Sequence, residues 1–168
     1  RATTTEPRNA ALWHAWAQIE MRDGNLDNAR KLYLKAAALE PDDVMCWVAL
    51  AQLEEKQGNV QQAREYFQKA IQLDSSHGLA YRAFAQMEQR IGGGVDKARS
   101  VLQEGTRFAY SDQAGEIYRA LALLEMRQGN YSDAVANLRR GLEIDPSSTR
   151  LYECFALLQL SQRKYEDA

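Results

Sequence analysis

The chain has 168 residues, enough for a sizeable core, and no apolar run approaches the roughly 20 residues that a membrane-spanning helix needs. Its formal net charge of −2 excludes a protein that is basic all over, although a local basic stripe on an acidic body stays compatible with it. Ala, Leu, Gln, Glu and Arg dominate over Val, Ile and Thr, which suits helices better than strands.

A first helix is expected over 9–23, just after Pro7, with Trp13 and Ala17 on its core side. Gly24 can take the left-handed conformation that stops it, and Asn25 can then cap a second helix over 26–39 through its side-chain oxygen. Ala29, Tyr33 and Ala36 line the inner side of that second helix, and Pro41 closes the unit. The pattern then returns. First helices are expected over 43–57, 77–91, 112–128 and 148–162, and second helices over 60–73, 95–109 and 131–144. Gly58-Asn59 and Gly129-Asn130 repeat the turn. The aromatic series Trp13, Trp47, Tyr81, Tyr118 and Tyr152 advances in steps of 34, 34, 37 and 34 residues. Small residues follow it as Ala17, Ala51, Ala85, Ala122 and Ala156, and again as Ala29, Ala63, Ala98, Ala134 and Ala168. Tyr33, Phe67, Leu102 and Leu138 continue the set, then Ala36, Ala70, Gly105 and Gly141. A glycine inside a helix costs roughly 1 kcal/mol relative to alanine, so Gly105 and Gly141 point to tight packing.

A fixed period of this length marks stacked helical hairpins. The expected fold is all-α: a right-handed α-solenoid of antiparallel helix pairs, one array over 1–168. Its units are 9–42, 43–76, 77–111, 112–147 and 148–168. Gly92-Gly93-Gly94 lengthens the third unit by one residue, and the segment from Ala109 to Gly115 lengthens it by two. The last unit is expected to enter its second helix at Ala168, and the array to be a piece of a longer one. Cys46 and Cys154 fall in different units, beyond the reach of a disulfide, and free thiols point to a reducing compartment.

The spacing of Trp13, Ala17, Ala29, Tyr33, Ala36 and Pro41 resembles the tetratricopeptide repeat. The run Trp13-His14-Ala15-Trp16-Ala17-Gln18-Ile19-Glu20 with Ala29-Arg30-Lys31-Leu32-Tyr33 is similar to its relative, the half-a-tetratricopeptide (HAT) repeat. Trp47, Leu50, Leu53, Glu54 and Ala63-Arg64 repeat it, as do Tyr81, Phe84, Met87, Glu88 and Ala98-Arg99. The fourth unit keeps Glu125 but has Val135 in place of the arginine, and the fifth has Gln159 in place of the glutamate. The stretch from Trp47 to Asn59 looks most like chloroplast HAT proteins that stabilise photosystem II messenger RNAs. The resemblance implies a role in RNA metabolism, in the chloroplast or alternatively the nucleus, and intracellular in either case. Glu20–Arg30, Glu54–Arg64 and Glu88–Arg99 are expected to pair within each unit and fix its helix crossing, or to cap its turn.

In solenoids of this kind the first helices line the concave face. Steps of four opposite the core side give His14, Gln18, Arg22; Val48, Gln52, Lys56; Arg82, Gln86, Arg90; Arg119, Leu123, Arg127; and Glu153, Leu157, Ser161. Stacked, these make a glutamine row and a basic row. Single-stranded RNA suits such rows, since cations follow phosphates and amides meet base edges. Equally, the macrodipole alone favours cations at helix C-termini, and glutamine is a common surface residue. Leu123 and Leu157 interrupt the stripe, either to meet an apolar partner or to pack on a neighbouring unit. The alternative function is a scaffold of the same fold that grips a peptide or assembles a processing complex. No enzyme, cofactor or metal is expected. His14 and His77 sit in different units without triad partners, Cys-x-x-Cys is absent, and no Lys-Ser/Thr follows Gly94.

Overall fold

The structure is a computed structural model that describes residues 9–91, 94–109 and 111–166, and every regular element among them is an α-helix. The helices are α1 (Ala10–Arg22), α2 (Leu26–Leu39), α3 (Val44–Lys56), α4 (Val60–Leu73), α5 (Gly78–Arg90), α6 (Val95–Phe108), α7 (Ser111–Arg127), α8 (Tyr131–Ile144) and α9 (Thr149–Glu166). No described helix is long and apolar enough to cross a membrane. They form two compact units, Arg1–Asp74 with α1–α4 and Ser75–Ala168 with α5–α9.

Within the first unit α1 pairs with α2 and α3 with α4, while α2 packs on α3. Within the second, α5 pairs with α6 and α7 with α8; α7 also touches α5 and α6, and α9 touches α7 and α8. The repeated residues explain this layering. Ala17, Ala51, Ala85 and Ala122 are buried, as are Ala29, Ala63, Ala98 and Ala134, so helix backbones approach closely at these points. Tyr33, Phe67, Leu102 and Leu138 fill the space between, each burial stabilising by about 2–3 kcal/mol before the cost of ordering. The helical glycines are packed over. A Cβ on Gly105 would come within 2.8 Å of Tyr81 Cγ, and one on Gly141 within 3.0 Å of Leu151 Cδ2.

Gly24, Gly58 and Gly129 have φ of +87°, +81° and +78°, the left-handed geometry required to end α1, α3 and α7. The asparagines that follow do not use their side-chain oxygens as caps. Their backbone N–H groups instead donate back to Glu20, Glu54 and Glu125 carbonyls at 2.8, 2.9 and 2.9 Å. Side-chain capping occurs at α1 and α3, where Asn9 and Asp43 accept from Ala11 and Met45.

The last helix departs from expectation. It runs to Glu166, beyond the expected end at 162, because Arg163-Lys164 stand where a Gly-Asn turn would be. Tyr152 and Ala156, expected in the core, are exposed; α9 buries Leu151, Cys154 and Leu158 against α7 and α8 instead. Gly92, Gly93 and Ala168 lie outside the described residues.

Both cysteines are free and buried. The Cys46 thiol donates to the Tyr33 carbonyl at 3.2 Å, and burial, helped by the Asp43 carboxylate, pushes its pKa up to about 12.

Candidate functional site

The arginine–glutamate pairs join neighbouring hairpins and do not close single ones. Arg30 on α2 donates from Nε and Nη2 to the two carboxylate oxygens of Glu54 on α3, at 2.7 and 2.6 Å. Its Nη2 also donates to Gln57 Oε1. Arg99 on α6 makes the same bidentate contact with Glu125 on α7, at 2.6 and 3.2 Å. The expected Glu20–Arg30 and Glu88–Arg99 pairs are therefore replaced. Glu20 accepts from Trp16 Nε1 and Asn25 Nδ2, and Glu88 lies 3.2 Å from Lys97 Nζ. The Glu54 carboxylate expected to meet Arg64 is occupied by Arg30 and Asn59.

At two of the Gly-Asn turns the asparagine completes this junction. Asn59 Nδ2 donates to Glu54 at 2.8 Å and Asn130 Nδ2 to Glu125 at 2.7 Å. Glu54 and Glu125 are almost wholly buried, so these donors offset the cost of removing a carboxylate from water. The Arg99 hydrogen bond, against the effect of burial and with help from Asn130, holds the Glu125 carboxyl below the usual carboxylate range. A Cβ at Gly94, the turn residue before α6, would lie 2.2 Å from the Glu88 carbonyl oxygen, so no larger residue fits there.

The expected surface rows are only partly available. His14 is half-buried with its ring 5.3 Å from that of Tyr33, and Val48 is buried. Gln18 and Gln86 are exposed, and Gln52 is half-buried. Arg22, Lys56, Arg90 and Arg127 are all exposed. Arg22 lies 3.6 Å from Asp23, a contact worth little in water, and Arg127 Nη1 donates to Gln89 of α5 at 2.9 Å. Leu123 packs against the core cluster of α7–α9, whereas Leu157 is exposed. Ser161 turns its hydroxyl back onto the Leu158 carbonyl.

Arg82 and Arg119 form part of a cluster that spans three first helices of the second unit. Arg119 Nε and Nη2 donate to Glu116 Oε2 at 3.2 and 2.8 Å. Arg82 Nη1 of α5 lies 3.4 Å from the same oxygen, and Arg150 Nη1 of α9 donates to Oε1 at 3.4 Å. Burial raises the Glu116 pKa, but hydrogen bonds and charge from Arg119, with Arg82 and Arg150, outweigh it and bring the value below the ordinary range. Sequence reasoning missed Glu116 and Arg150. Both sit one turn N-terminal to the row positions Arg119 and Glu153, and the i, i+3 spacing of Glu116 to Arg119 was the available signal. Among the described residues, no group of His, Cys, Asp or Glu is placed to hold a metal ion.

These features define a protein built from repeated helical hairpins, and comparison with known proteins specifies which kind. Residues 14–77 and 115–160 each match a tetratricopeptide repeat model. The chain belongs to the tetratricopeptide-like repeat family. Solved structures similar to it include Pseudomonas aeruginosa PilF, at 18% identity and a TM-score of 0.67, covering 93% of this chain and 70% of that one. A thermophilic TPR protein of Thermus thermophilus is 19% identical with a TM-score of 0.69, covering 92% and 84%. The MamA protein is 19% identical with a TM-score of 0.62, covering 94% and 85%. At such identities the likeness concerns the fold, which is an α-solenoid as the sequence predicts. No curated protein sequence matches the chain.

Proposed function

We propose that the chain is a non-catalytic protein-interaction scaffold that holds an extended peptide across its first helices. The observation that carries this is the joined polar face of the second unit. Arg127 of α7 reaches Gln89 of α5, and Arg150 of α9 reaches Glu116 of α7, so polar groups of successive first helices stand within one hydrogen bond of each other. An extended peptide leaves its backbone N–H and C=O groups unpaired, and a face of alternating donors and acceptors satisfies them. Gln86 and Arg90, both exposed on α5, extend it. The tetratricopeptide-like family supports the same reading, since such repeats generally serve as scaffolds.

A second reading puts single-stranded RNA on the exposed cations of the first helices in each unit and gives the protein a role in stabilising or processing a transcript, as the resemblance to HAT proteins of chloroplast or nucleus implies. Exposure of Arg22, Lys56, Arg90 and Arg127 favours it. One experiment separates the two: selection from a random peptide library, alongside titration of a labelled oligouridylate across salt. The scaffold reading expects peptides whose binding weakens in a Gln86→Ala, Arg90→Ala double variant. RNA held by about four phosphate contacts would instead show log affinity falling by roughly 3 per decade of salt, abolished by charge reversal at those four cations. That outcome without any selected peptide overturns the scaffold.

A further inference from the structure

We infer that α1 carries an open docking face for an amphipathic helix of a separate partner protein, a helix that brings an arginine to Glu20. The face belongs wholly to the first unit, so it goes beyond the peptide face proposed above.

The sequence period puts Leu12, Trp16, Ile19 and Glu20 of α1 in register with Cys46, Leu50, Leu53 and Glu54 of α3. The same register reaches Ile117, Leu121, Leu124 and Glu125 of α7. On α3 and α7 all four positions are buried. The second helix of the preceding hairpin lies on them, and its arginine grips the carboxylate. On α1, by contrast, Leu12, Trp16 and Ile19 are 56%, 50% and 49% exposed. Spaced by four and three residues, they form one stripe along the helix. An apolar stripe that ends in a carboxylate is complementary to an apolar helix face with a cation, which is what α2 supplies to α3.

The face can stand open and still be filled. Trp16 Nε1 donates to one Glu20 oxygen at 3.0 Å and Asn25 Nδ2 to the other at 2.8 Å, so each oxygen has capacity for a further donor. The Trp16 ring is stacked on Trp13, with centroids 5.8 Å apart and planes at 11°, and Lys35 Nζ lies 4.5 Å from the Trp13 ring. A side chain held in advance loses little freedom on binding, and tryptophan is a favoured anchor between separate proteins. The covered helices have leucine at this position, Leu50 and Leu121. That difference points to a partner that dissociates. The form of the partner can be read from α2, where Arg30 and, two turns on, the small buried Ala37 share one side.

The probe is therefore α2 itself, as a labelled 14-residue peptide of residues 26–39. It is stapled between positions 31 and 35, both exposed on α2, because so short a helix is marginal alone in water. Fluorescence anisotropy is measured with the longest chain that carries this sequence, and circular dichroism verifies helix content. The peptide should bind the wild type. Trp16→Gln should weaken it about tenfold or more, and an Arg30→Gln peptide should bind the wild type about tenfold less tightly. Glu20→Arg should lose the native peptide and recover an Arg30→Glu peptide, a swap that loss of folding cannot produce. The inference falls if no peptide binds, as when a preceding hairpin of the same chain already covers α1. It falls equally if the Arg30→Gln peptide matches the native one or if Trp16→Gln leaves binding unchanged. Self-association abolished by Trp16→Gln would assign the face to a second copy and overturn it as well.

Discussion

Replacing Arg30 by Ala tests whether hairpins are fastened to each other or each to itself. The change leaves Glu54, whose side chain is 3% exposed, without its bidentate partner and with Asn59 as its remaining side-chain donor. Stripping one partner from a fully buried ion pair costs about 3–5 kcal/mol. Arg30 is 33% exposed, so water screens the pair, and a loss of about 2–3 kcal/mol is expected. For a chain of this size that corresponds to a fall in Tm of about 5–10 °C. The decisive assay is a pair of double-mutant cycles read by urea unfolding and far-UV circular dichroism. Arg30→Ala combined with Glu54→Gln should show a coupling of about 1–2 kcal/mol, while Arg30→Ala combined with Glu20→Gln should be additive within about 0.5 kcal/mol. Coupling to Glu20 and none to Glu54 would refute the inter-hairpin junction.

Asn130→Asp separates the two roles an asparagine can take at this turn. If its side-chain oxygen capped α8, Asp would serve equally well; because Nδ2 donates to buried Glu125, Asp should destabilise by about 2 kcal/mol in thermal melts near neutral pH, and an unchanged Tm would reject the donor role. The lowered folded pKa of Glu125 means that its stabilising contribution is fully present above the unfolded value of about 4.3 and is lost as pH falls through the lower folded value. Acid titration of wild type against Glu125→Gln should therefore show the two stability curves converging below about pH 4, and parallel curves would contradict this.

The hairpins themselves were legible because small residues recur at points where backbones must touch, and such positions tolerate little else. Ala29 and Ala63 could be placed in the core from spacing alone, and they are buried there. The arginine's partner was not legible from nearness in sequence. Arg30 follows Ala29 by about 100° around α2, so with Ala29 turned into its own hairpin Arg30 points toward the next one. A clue stood in the repeats: the fourth unit lacks the arginine, having Val135, and the fifth lacks the glutamate, having Gln159. Paired absences in adjacent units fit a bond between hairpins. The Glu116 cluster was hidden because its members come from three helices far apart in the chain, and only stacking of α5, α7 and α9 brings them together. The exposure of Tyr152 and Ala156 was not legible either, because α9 turns Leu151, Cys154 and Leu158 toward α7 and α8 and those two positions outward.

A carboxylate that serves as both latch and anchor point makes the order of fraying unequal. Glu54 secures the bend of the hairpin it belongs to and also grips Arg30 of the hairpin before it. When the later hairpin's bend loosens, the earlier helix loses its grip in the same event. When α2 peels away first, the bend at Gly58-Asn59 keeps its own fastening. Hydrogen exchange should then spread from α3 and α4 backward into α2 more readily than the other way, so disturbance along this chain has a preferred direction of travel.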